Sequence, residues 1–176
     1  MNQKPLQFSV KPELDGELKY KLKKFVFDVI GCCQAVHKEL GPELTEYVYQ
    51  DSLKIAFEQA GIKFMKEYYF RPSFRGIKLE HRLFVDFLCK DKIFLECKAI
   101  EKLGVHERLQ LWNYMRVSGI RIGILYNFLP VMDECEKYYF DPETRQIYCF
   151  WNILIVFICF FCFLLFLKAP RSGFIS

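Results

Sequence analysis

HRLFVDFLCKDKIFLECKAIEK, residues 81–102, decides how the rest of the chain is read. Two apolar runs flank Lys90-Asp91-Lys92, a polar triplet suited to a short hairpin loop, although it lacks the Gly that a three-residue turn prefers. With the hairpin centred on Asp91, residues whose numbers sum to 182 face each other, so Asp86 lies opposite Glu96. Side chains alternate along a strand, which puts Lys98 on the face of Glu96. The other face reads Val85, Phe87 and Cys89 against Ile93, Leu95 and Cys97, and is purely apolar.

The polar face is the unusual one. Two carboxylates and a lysine are set among Phe84, Leu88 and Phe94. Opposed carboxylates repel, and one takes a raised pKa unless a cation neutralises them. A hard divalent cation answers that need, because Mg²⁺ (or Mn²⁺) takes oxygen ligands and accepts one or two carboxylates plus water. The backbone carbonyl of Cys97 could supply a further oxygen. Lys98 would then stand beside an activated water, to orient or deprotonate it, or to offset charge on a reacting phosphate. The plainer alternative is a salt-bridged hairpin whose charges only solvate an outer face.

Upstream of the hairpin, Phe25, Val26, Val29, Ile30, Cys33, Val36 and Leu40 recur at helical spacing until Gly41-Pro42. A second helix opens at Thr45 or Glu43 and runs to Gly61. Ile62–Phe64 and Tyr68–Phe70 are short β-rich pieces; IKLEHR and LFVDFLC form a strand-like stretch broken near Arg82; KIFLECKAI is another strand. Val105–Val117 returns to helical spacing, and RIGILYNF is a final apolar strand. Strands interleaved with helices predict an α/β fold with a mixed sheet covered by helices.

Two helices add to the hairpin. Glu46 and Tyr49 are three apart and share a helical face, so a helix packed on the sheet could point Glu46 at the same cation. Taken alone, a helical Glu is more often a surface residue. His106, Gln110 and Tyr114, spaced by four, form one polar stripe, which would line a substrate groove beside an acidic site and otherwise be a solvated face.

Glycine before a helix, ExxY, an Asp on a strand, ExK on the next strand and a helical QxxxY occur here as Gly41, Glu46, Tyr49, Asp86, Glu96-Cys97-Lys98, Gln110 and Tyr114. In that order they resemble the PD-(D/E)xK nuclease superfamily and, more narrowly, the small GxxExxY protein family within it, over about Phe25 to Phe128. The resemblance implies a restriction-endonuclease-like mixed sheet. It implies Asp86 and Glu96 as ligands of Mg²⁺ or Mn²⁺, Lys98 as the catalytic lysine and Glu46 as the acidic helix residue completing the site, where the Cys97 carbonyl is the further oxygen expected from the hairpin. Gln110 and Tyr114 would contact the substrate, a nucleic acid with DNA the first expectation, or support the metal; His106, from the helical stripe, and Tyr49, from the face of Glu46, are also expected toward the substrate. Val85 stands where the superfamily often has Pro, and Glu43 where relatives often have a second Gly.

The 176 residues allow one domain and an appendage. The expected division is an arm at 1–20, the nuclease-like domain at 21–130, a polar connector at 131–146, a membrane-spanning helix at 147–167 and a short basic tail at 168–176. IYCFWNILIVFICFFCFLLFL, residues 147–167, carries no charge, and at about 1.5 Å per residue it can cross a hydrocarbon layer of about 30 Å. A buried helix or an apolar extension is the other reading. The N-terminus lacks a secretory pattern, which places the nuclease-like domain in the cytoplasm as an expectation. A net charge of +4 is compatible with nucleic acid. Of the eight cysteines only Cys159 and Cys162 form a CxxC, inside the apolar run with no second pair near it, so free buried thiols are expected.

Overall fold

The computed structural model describes residues 16–149 of the chain. Helix α1 (Gly16–Leu40) buries Val29, Cys33 and Val36, and α2 (Glu46–Gln59) buries Tyr49, Leu53 and Phe57, both at helical spacing. Together they cover one face of a six-stranded sheet, against Phe87, Cys89, Ile93, Leu95, Cys97, Ile124 and Tyr126. Helix α3 (Val105–Ser118) covers the other face with Leu111, Trp112 and Met115, against Leu88, Phe94, Leu125 and Tyr138. The result is a sheet between two helical layers.

The strands are β1 (Phe64–Phe70), β2 (Ser73–Phe74), β3 (Ile77–Lys78), β4 (Leu83–Cys89), β5 (Ile93–Lys98), β6 (Ile122–Asn127), β7 (Glu134–Phe140) and β8 (Ile147–Cys149). The large sheet runs β1-β4-β5-β6-β7-β8, while β2 and β3 form a separate two-stranded hairpin. Only β5 and β6 pair in parallel, and α3 is the crossover between them. β5 is covered on both faces, so its middle reads as an unbroken apolar run. At Gly123 in β6 an added Cβ would lie 2.5 Å from Met115 Sδ and 3.1 Å from Leu111. The absent side chain lets α3 settle onto the sheet.

The β4–β5 register pairs Phe87 with Leu95, Leu88 with Phe94 and Cys89 with Ile93, each summing to the expected 182. The apolar face differs from expectation at one residue. Val85 packs with Leu88 and Phe94 under α3, whereas Phe87 and Cys89 lie under α1 and α2. β1 changes face at the matching place: Phe64 meets Phe57 and Phe87, but Tyr68 and Phe70 meet Phe94. Between them Glu67 has φ +51°. That left-handed residue breaks the two-residue alternation that the face assignment assumed.

Three boundaries also move. Gly16–Tyr20, expected within an irregular arm, belongs to α1. The supposed connector at 131–146 holds β7, which pairs with β6 from Ile122↔Tyr139 to Asn127↔Glu134. Ile147–Cys149, expected to begin a membrane helix, is β8, paired with β7. ECEKYYF shows little apolar alternation, and its place in the sheet comes from the ladders it forms with β6 and β8. The rest of the apolar run, from residue 150, lies outside the described residues. Among the described residues no helix is long and apolar enough to cross a membrane. Cys32, Cys33, Cys89 and Cys97 are free and buried, while Cys135 and Cys149 are free and partly buried.

Candidate active site

Asp86, Glu96 and Lys98 stand where the β4–β5 ladder stops. Beyond Phe87↔Leu95 no further rung is registered, and Asp86 Oδ2 instead accepts the Cys97 N–H at 2.7 Å. Since N–H and C=O of a strand residue point to the same side, the Cys97 carbonyl also faces this opening. Glu96 is almost wholly buried; its Oε2 accepts from Lys98 Nζ at 3.5 Å. Its Oε1 is buried with no hydrogen-bond partner among the described residues.

α3 adds the next links. Lys98 Nζ donates to Gln110 Oε1 at 3.4 Å, and Gln110 Nε2 donates to the Tyr114 hydroxyl at 3.1 Å. The Tyr114 ring meets Phe70 edge-on at 5.8 Å. The spacing of four that made these residues a stripe now forms a chain from Glu96 through Lys98 to the helix.

Glu46 comes from the opposite layer. Gly41 (φ +74°) and Glu43 (φ +68°) turn the chain between the helices. The loop is tied by the Tyr49 hydroxyl, which donates to Gly41 O at 2.8 Å and accepts from Leu44 N at 3.1 Å. α2 thus begins at Glu46 with Thr45 as its N-cap, and the Glu46 carboxylate is held by Gln50 Nε2 at 3.1 Å.

Electrostatics bind these groups into one set. Burial, followed by the Asp86 charge, pushes Glu96 up to about 8, with Glu46 adding to the push. Asp86 is raised chiefly by burial, against the pull of the Cys97 N–H, of Lys98 and of a side-chain hydrogen bond with Glu96, and Glu67 raises it further. Glu46 is raised by burial and then by Asp86. Burial alone would lower Lys98, but Glu96, Asp86 and Glu46 outweigh it and raise the ammonium above its usual value. Three carboxylates that resist ionising together, around one cationic side chain, are short of positive charge.

The donor set suits a hard cation. It offers carboxylate and carbonyl oxygens, with the unpartnered Glu96 Oε1 among them. Among the described residues, however, no three His, Cys, Asp or Glu side chains lie together tightly enough to hold an ion as they stand.

Of the residues expected toward substrate, Gln110 and Tyr114 join the site and two do not. Tyr49 is fully buried, stacked on Phe128 at 4.5 Å, and both its hydrogen bonds serve the 41–44 loop. It positions Glu46 and has no surface for a ligand. His106 lies in the exposed first turn of α3, its ring beside Glu107 at 3.5 Å. Glu67, which the sequence reading passed over, brings a further carboxylate charge to Asp86. Only its left-handed backbone marks it, and no sequence pattern reports that.

A family profile described as the PD-(D/E)XK nuclease superfamily matches residues 23–138. No curated protein and no solved structure matches the chain.

Proposed function

The chain belongs to the PD-(D/E)XK nuclease superfamily, and from that premise we propose that it hydrolyses phosphodiester bonds of nucleic acid, DNA in the first instance, with Mg²⁺ or Mn²⁺ as cofactor. The observation that carries the reading is Glu96: a carboxylate with one oxygen buried and unpartnered, the other on Lys98, and Asp86 and Glu46 felt as charges nearby. The ordered motifs from Gly41 to Tyr114 support the narrower placement in the GxxExxY family.

Asp86, Glu96, Glu46 and the Cys97 carbonyl would hold the cation. When bound, it supplies Lewis acidity, activating a water and offsetting charge on the scissile phosphate. Lys98 acts as an ammonium, because its carboxylate neighbours favour the charged form. It contacts a phosphate oxygen and stabilises charge that grows there. Gln110 fixes the ammonium through its Oε1, and Tyr114 fixes Gln110. Asp86 holds the Cys97 peptide, and with it the carbonyl, at the opening between the strands.

The full chain is assayed on linear, circular and single-stranded DNA with Mg²⁺, Mn²⁺ or EDTA. Cleavage should require the divalent ion and fall at least about 10²-fold in Lys98→Ala. Cleavage indifferent to both would be a contaminant and would remove the enzyme reading. The alternative is a binding module without turnover; it predicts nucleic-acid binding unchanged by Asp86→Ala and no cleavage under any metal.

A further inference from the structure

Between β1 and β4 the chain leaves the sheet as RPSFRGIKLEHR, residues 71–82. The excursion is a built hairpin: Ser73 pairs with Lys78 and Phe74 with Ile77, and Leu79 N donates to Pro72 O at 2.8 Å. Its two-residue turn, Arg75-Gly76, has positive φ at both positions (+50° and +81°), the geometry that matches strand twist in a tight hairpin. Yet this shaped element buries almost nothing. Every residue from Ser73 to Arg82 is exposed, with Phe74 at 63% and Ile77 at 72%. Two strands this short have no core of their own to hold such side chains.

The charge is one-sided. Arg71, Arg75, Lys78 and Arg82 face a single acid, Glu80, and none of the four cations makes an ion pair with a described residue. Two of them lie over exposed rings instead: Arg75 over Phe74 at 5.3 Å and Arg82 over Tyr69 at 4.5 Å. Tyr69 and Phe84 are register partners with rings 6.1 Å apart, and both are about half exposed. Phe84 is two residues from Asp86 on the same strand. Because β4 runs antiparallel to β5, the hairpin leaves the sheet at the end where β5 carries Glu96 and Lys98.

We propose that residues 71–82, with Tyr69 and Phe84, form a nucleic-acid-binding arm that grips unpaired bases and leads the strand toward Asp86. Four unpaired cations complement a phosphate backbone, and rings that already accept a guanidinium on one face can accept a base. A duplex keeps its base faces stacked on one another, so exposed rings select single strands. The link to the site rests on the nuclease reading above, whereas binding by the arm is measured without it.

The test uses the full chain in EDTA, with fluorescence anisotropy on a labelled single-stranded oligonucleotide and on the same sequence as duplex. The single strand should bind more tightly. Phe74→Ala and Tyr69→Ala should each weaken it by about tenfold, the scale of one lost base–aromatic stack. Arg75→Gln with Lys78→Gln should flatten the dependence of affinity on salt, with each lost phosphate contact reducing the slope by about one. All these positions are exposed, and circular dichroism checks that the fold is kept. Unchanged single-strand affinity in both aromatic variants would overturn the arm, as would equal preference for duplex, or no nucleic-acid binding with capture of an acidic protein instead. Binding that follows the arm without cleavage under any metal leaves the arm standing and removes the nuclease reading. Metal-dependent cleavage with unaltered binding in the arm variants does the reverse.

Discussion

The carboxylate of Asp86 accepts the backbone N–H of Cys97 at 2.7 Å, in place of the carbonyl that a continued β4–β5 ladder would supply. One side chain therefore ends the hairpin and opens the site. Hydrogen-bond geometry and charge can be separated here. Asp86→Asn keeps an acceptor for the amide and should retain the melting temperature of the parent. It should lose the rise in Tm that Mg²⁺ or Mn²⁺ confers. Asp86→Ala leaves the amide without its partner, at about 1–3 kcal/mol. Equal metal-induced Tm shifts in the parent and Asp86→Asn would rule Asp86 out as a ligand.

Tyr49 ties the loop that delivers Glu46. Tyr49→Phe removes the hydroxyl from Gly41 O and Leu44 N, two backbone groups that then lack a partner. The expected loss is about 1–3 kcal/mol, or a Tm lower by at least about 2 °C in a chain of this size. Divalent-ion affinity, read by calorimetry, should fall as well, since the start of α2 loosens. A variant with weaker metal binding but unchanged stability would point to a direct role for the hydroxyl.

Glu43 has φ +68° in the same loop, a conformation that costs a side chain about 1–2 kcal/mol. Glu43→Gly should stabilise the fold by about 1 kcal/mol, after the entropic cost of glycine is subtracted. Denaturant unfolding measures it. Destabilisation would mean that the Glu43 side chain makes a compensating interaction.

Glu96 makes the metal-free protein pH-sensitive. Its folded value, up to about 8, lies above the ordinary 4.5. Between those limits the folded state holds the proton and the unfolded chain releases it, so stability contributed by the neutral acid is present below pH 4.5 and lost as pH rises toward 8. Thermal melts in EDTA should therefore show Tm falling across that window, and Glu96→Gln should flatten the fall. Saturating Mg²⁺ should also flatten it in the parent, because the ion compensates the ionised carboxylate. A Tm in EDTA that rises through the window would contradict this account.

The hairpin register was legible because two constraints coincide: polar Lys90-Asp91-Lys92 must turn, and the apolar runs on either side must share a covered face. The same reasoning failed at Val85. It assumed unbroken alternation, and the break comes from the left-handed backbone at Glu67, on a strand not considered with the hairpin. β7 and β8 were missed for a related reason. ECEKYYF alternates poorly, and its place in the sheet depends on a ladder with β6 rather than on its own pattern. For Tyr49 the spacing correctly put it near Glu46, but spacing is silent on whether a side chain faces a ligand or a core.

The α/β class, the helical stripes, the β4–β5 register and the grouping of Asp86, Glu96 and Lys98 follow from sequence alone, since each depends on local period and a turn. How separate layers meet follows only from the packed fold. It brought Glu46 across the sheet from α2, linked Lys98 to Gln110 on α3, turned Tyr49 inward and left the 71–82 hairpin in solvent. Those outcomes are set by packing between segments far apart in the chain, where the burial of one surface depends on which other surface arrives, and no single segment carries that information.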